Sequence, residues 1–70
     1  MHFTLEDGVH VEVNKTGNDT FDFTLTSEQG NKRYLTIVDD DRPKDQIVEP
    51  FDFDQLNAVR RFWLETDDII

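Results

Sequence analysis

The chain contains no cysteine. Disulfides and thiolate metal sites are therefore excluded, and the lack of disulfide staples in a chain of 70 residues points to the cytoplasm. No apolar run approaches the length that spans a membrane. The start, "MHFTLEDGVH", has neither a basic n-region nor an apolar h-region, so no signal peptide is expected there. Basic residues are scarce: seven Lys and Arg stand against sixteen Asp and Glu, a net charge of −9. Such a chain is repelled by nucleic acid and by anionic membranes, so neither is expected as a direct partner. It can attract basic proteins, or imitate a phosphate backbone. There is no cysteine nucleophile and no glycine-rich phosphate loop. Neither catalysis nor a cofactor is expected.

What is present is alternation. "HFTLE" puts Phe3 and Leu5 on one side, and "VHVEVN" does the same with Val9, Val11 and Val13. "TFDFTLT" aligns Phe21, Phe23 and Leu25. "KRYLTIV" aligns Leu35 and Ile37, with Tyr34, Thr36 and Val38 opposite. Period-two patterns in β-branched and aromatic residues predict half-buried strands over about 2–6, 9–14, 20–26 and 32–38. With six Phe and one Trp the alternation also argues against disorder.

The turns set the registers. A two-residue Asp7-Gly8 loop would place Leu5 opposite His10 and mix the faces. A three-residue loop, Glu6-Asp7-Gly8, places Leu5 opposite Val9 and Phe3 opposite Val11, with Gly8 at the position that needs a left-handed backbone. Glu28-Gln29-Gly30 repeats the device and sets Phe23 opposite Leu35 and Phe21 opposite Ile37. In the middle turn, "NKTGND", pairing Val13 with Phe21 brings Lys15 near Asp19 and leaves the loop type open. All three registers share one buried face, which a one-residue slip would destroy. The expected sheet is an antiparallel meander in the order 1-2-3-4.

One apolar sheet face needs a cover. In "EPFDFDQLNAVRRFWLE", Asp52 reads as an N-cap, Gln55 completes a capping box, and Phe51 with Leu56 forms a hydrophobic staple. The predicted helix runs over about 53–65, with Leu56, Val59, Phe62 and Trp63 at helical spacing and Phe53 and Leu64 widening the stripe. A stripe of this kind is far more often core than recognition surface. Arg60 and Arg61 read as solvated charges, with Arg61 pairing to Glu65 at i+4. The stretch 39–51 is expected as an acidic loop, with Gln46–Glu49 as a short extended edge segment, and 66–70 as a tail ending in Ile69 and Ile70. The fold class is α+β: one small ββββα domain over 1–70.

Three functional readings follow. The first is a small acidic, non-enzymatic interaction or regulatory module that binds another protein through the outer strand (Tyr34, Val38) and the acidic run Asp39, Asp40 and Asp41. The chain is then a monomer or a weak homodimer through an edge strand. The alternative is a nucleic-acid mimic that inhibits a basic DNA- or RNA-binding protein. The third is a weak metal-binding module. The registers place His2, Glu12 and Asp22 in one row of the open face, beside His10. Facing carboxylates Glu12 and Asp22 would repel unless an imidazolium or a divalent cation relieved them. The Asp39–Asp41 run does not match a calcium loop, because Lys44 falls where glycine is required and Pro50 where glutamate is required.

Overall fold

The computed structural model describes residues 1–66. Four strands, β1 (His2–Thr4), β2 (His10–Lys15), β3 (Thr20–Thr26) and β4 (Lys32–Val38), precede two helices, α1 (Lys44–Val48) and α2 (Phe53–Glu65). The strands form one antiparallel sheet in the order β1-β2-β3-β4. This is the α+β meander with a C-terminal helix that the alternation predicts.

The outer hairpins close with the same device. Leu5 N–H donates to Val9 C=O (2.8 Å) and Gly8 N–H to Leu5 C=O (3.0 Å). Ser27 N–H donates to Asn31 C=O (2.8 Å) and Gly30 N–H to Ser27 C=O (2.9 Å). Gly8 sits at φ 91° and Gly30 at φ 89°, the left-handed region where a Cβ is costly. Phe3 faces Val11, Phe23 faces Leu35 and Phe21 faces Ile37, as the three-residue loops require.

The middle hairpin differs from expectation. Val13 faces Phe23, not Phe21, and Lys15 faces Phe21. Thr16 N–H donates to Thr20 C=O (2.9 Å), so the loop is Gly17-Asn18-Asp19. The slip is two residues. It preserves parity, so the same side chains are buried in either register and alternation cannot choose between them. On the open face the change is large: Glu12 faces Thr24, while Asp22 lies between Asn14 and Thr36.

The core forms where the sheet's apolar face meets both helices. Val11, Val13, Phe23, Leu25 and Ile37 from the sheet close over Ala58, Val59, Phe62 and Trp63 of α2. The Phe62 ring lies 4.9 Å from Phe21 and 5.3 Å, edge to face, from Phe23. Each fully buried large side chain contributes about 1.5–3 kcal/mol, and each aromatic pair about 0.5–1.5 kcal/mol more. Trp63 is buried and its indole N–H meets no acceptor among the described residues. The Lys44 ammonium stands 4.4 Å from its ring.

The helix start follows the capping signals. The Asp52 carboxylate accepts from Gln55 N–H (2.9 Å), and the Gln55 side chain accepts from Asp52 N–H (3.0 Å). Arg61 pairs with Glu65 at 2.8 Å. Two expectations are corrected. Phe53 and Leu64 do not widen the core stripe: they are 75 % and 60 % exposed, because at 100° per residue they point away from Val59 and Phe62. The 39–51 stretch is not all loop, and Gln46–Glu49 is not an extended edge. Pro43 opens α1 instead, and Ile47 anchors that single turn in the core. Ile69 and Ile70 lie outside the described residues.

Candidate interaction edge

Residues 31, 33, 35, 37 and 39 turn their backbone toward β3, as the bonds Ser27 N–H to Asn31 C=O (2.8 Å) and Asp39 N–H to Asp19 C=O (2.7 Å) fix at either end of the ladder. The N–H and C=O groups of Lys32, Tyr34, Thr36 and Val38 therefore point to the free edge. The Arg42 guanidinium reaches one of these acceptors, Val38 C=O, at 3.5 Å. The edge is seven residues long, roughly 23 Å at the usual rise. Tyr34, 69 % exposed, stands next to its middle on the open face, and Val38, at its end, is 41 % exposed. Both interaction candidates thus lie where the alternation put them.

The acidic run is partly neutralised. Asp39 lies 3.7 Å from Lys44 Nζ. Asp40 accepts from the Arg42 backbone N–H (2.9 Å) and from Arg42 Nε (3.0 Å), contacts that hold its carboxyl below the usual carboxylate range. Asp41 is exposed.

The four metal candidates are not assembled as a row. His2 faces Glu12, but Glu12 accepts from Asn14 Nδ2 (3.2 Å) along its own strand, and Asp22, on the next cross-strand row, accepts from Thr36 Oγ1 (2.6 Å). His10 Nδ1 meets Thr4 Oγ1 at 2.9 Å. The two-residue register change removes the Glu12–Asp22 confrontation that motivated a cation. Among the described residues, no group of three or more His, Cys, Asp or Glu side chains is arranged to hold a metal ion.

Two contacts at the helix start escaped sequence reasoning. Arg33 binds the N-cap Asp52 through both carboxylate oxygens, at 2.7 and 3.1 Å. The Gln55 backbone N–H and then the Arg33 side chain hold Asp52 below the usual carboxylate range. Across the same end, the Asp7 and Asp54 carboxyls face each other, and that proximity pushes Asp54 up and Asp7 down. No sequence signal joins residues so far apart; both pairs depend on where α2 lands. Beside them, a cleft of about 570 Å³ separates Leu5, Glu6 and Asp7 from the outer stripe of α2 that carries Phe53, Arg60 and Leu64.

In comparisons with known proteins, no family model, no curated protein and no solved structure matches the chain. Among the described residues, no helix is long and apolar enough to cross a membrane.

Proposed function

We propose that the chain is a small, acidic, non-enzymatic interaction module of the cytoplasm, whose β4 edge takes an extended segment of a protein partner as a fifth strand. The observation that carries this reading is the seven-residue edge itself, with Tyr34 exposed next to its centre and outward backbone groups at alternate residues. Main-chain hydrogen bonds give such docking its affinity, and the side chains of alternate residues give it selectivity.

The nucleic-acid mimic draws less support. The open face carries Glu12 and Asp22 alongside Lys32. Of the other acids, Asp7, Glu28 and Asp54 gather at one end of the sheet and Asp19 and Asp39 at the other.

The test is capture by the tagged chain at low and high salt, with Tyr34→Pro beside the parent. Tyr34 N–H points to the free edge, so proline there removes no ladder bond and leaves the fold intact, as a circular dichroism melt will verify. A partner that survives high salt and is lost with Tyr34→Pro supports strand docking. A basic partner that is released by salt and is indifferent to Tyr34→Pro overturns it in favour of the mimic.

A further inference from the structure

The β4 edge and the residues that follow it, "KRYLTIVDD" from Lys32 to Asp40, carry a charge pattern that reads in opposite sign from either end. Two cations open it, two carboxylates close it, and the apolar residues between are arranged symmetrically about Thr36. An antiparallel strand pair brings each residue against its mirror position. We propose that the strand added to β4 is the β4 of a second copy of this chain, paired antiparallel about Thr36. The inference rests on the reading of β4 as a strand-docking edge and names its partner.

The register follows from chemistry and from the ladder's phase. Only residues with outward backbone groups can exchange hydrogen bonds across the new seam, and these are Lys32, Tyr34, Thr36 and Val38. Centring the pair on Thr36 sets Thr36 against its own copy and Tyr34 against Val38, an aromatic with a β-branched residue. It sets Leu35 against Ile37 on the helix-covered face. It brings Lys32 and Arg33, the latter also bound to its own Asp52, to Asp40 and Asp39 of the second copy, which also touch their own Arg42 and Lys44. Centring on Leu35 instead sets Arg33 against Ile37 and Lys32 against Val38. Centring on Tyr34 sets Arg33 against Leu35. Of the three centres, Thr36 alone matches every cation to an acid and every apolar side chain to another. The axis stands perpendicular to the sheet, so the two sheets continue as one of eight strands with both α2 helices on the same face. The interface is isologous and closed: each β4 edge is consumed by the other, and nothing propagates.

The charges also explain how a long edge avoids promiscuous pairing. Lys32 and Arg33 repel a strand that ends in cations and the carboxylates repel one that ends in acids, while the chain's own sequence in reverse satisfies both.

Sedimentation equilibrium from micromolar to millimolar chain tests this with a charge swap. Lys32→Asp sets acid against Asp40, and Asp40→Lys sets cation against Lys32, so each variant alone is expected to dimerise about tenfold or more weakly than the parent. Mixed one to one, the two variants regain opposite charges at both ends and are expected to form a heterodimer at the parent's concentration. Thr36→Pro, which blocks the central outward N–H, is expected to be monomeric with an unchanged circular dichroism spectrum. A parent chain that stays monomeric at millimolar concentration overturns the inference. So does a dimer indifferent to all three substitutions. If the parent is monomeric yet captures another protein that Tyr34→Pro abolishes, the self-pairing fails while the docking edge stands. If capture is indifferent to Tyr34→Pro as well, both fail.

Discussion

β1 is three residues long and β4 is seven, so the two free edges differ in length. The short edge has a neighbour from the helix side, where the Arg61 guanidinium stands 5.5 Å from the Phe3 ring. The long edge carries Lys32 and Arg33 at one end and acids at the other, with Arg42 touching its last outward carbonyl. Length protects the first edge from any strand. Charge protects the second only from strands of the wrong pattern. Each edge is also tied to the start of α2 by one side-chain contact, and the contacts are opposite in kind. On the β4 side Arg33 attracts Asp52; on the β1 side Asp7 meets Asp54. The first contact joins opposite charges; the second couples two carboxyls, raising Asp54 and lowering Asp7.

The largest expected difference between the edges lies in their core residues. Ile37→Ala in β4 removes a side chain that is 2 % exposed, and a loss of about 2–4 kcal/mol is expected in chemical denaturation. Phe3→Ala in β1 removes a half-buried ring, and roughly 1–2 kcal/mol is expected. Equal losses would show that β1 is as firmly built as β4.

The turns come next. Gly8→Ala and Gly30→Ala both place a Cβ on a left-handed backbone, and each is expected to lose about 1–2 kcal/mol. They differ in surroundings. A Cβ at Gly8 collides with the Glu28 carboxylate, whereas nothing lies within 4 Å of one at Gly30. Adding Glu28→Ala is therefore expected to recover part of the Gly8→Ala loss and none of the Gly30→Ala loss. Equal recovery in both would mean that Glu28 acts elsewhere than over the first turn.

The smallest effect is that of pH on the two ties. Asp54 is raised above the ordinary aspartate value of 3.8 by its proximity to Asp7, so the stabilisation from its proton is present at low pH and is lost as pH rises through the folded value. Asp7 and Asp52 are lowered, so their stabilisation is present above 3.8 and is lost as pH falls through their folded values. Melting temperature is expected to rise slightly between pH 7 and the upper carboxylate range, as Asp54 gains its proton, and to fall once Asp7 and Asp52 take theirs. Asp54→Asn is expected to remove the rise and keep the fall. A rise that persists in Asp54→Asn would place the titrating group elsewhere.

Those residues also mark where the sequence was legible. Alternation fixed each strand's buried face, and glycine at the third loop position fixed the outer registers, because both are local and parity-sensitive. The middle register was not legible: Val13 against Phe21 or against Phe23 buries the same side chains. That ambiguity did no harm to the fold, yet it created the row of His2, Glu12 and Asp22 out of strands that do not align that way. The capping box was local and legible. Phe53 and Leu64 lie off the core stripe because hydrophobicity alone does not specify the angle around the helix. The five residues of α1 carry one buried side chain, Ile47, too little periodicity to announce a helix. Tyr34 and Val38 were legible as outward residues of an edge, since that depends on parity and strand order alone.

Trp63 gives the molecule an optical handle. It is the only indole in the chain, shut from solvent, with the Lys44 ammonium from the first turn of α1 against its face. Its emission colour therefore registers whether the segment immediately downstream of β4 is seated on the core. Strand docking that disturbs Arg42 and the residues after it would be seen as a red shift, without any label. Docking that leaves α1 in place would be silent in that channel, so one fluorimeter trace separates an edge that merely holds its partner from one that passes the news to the helices.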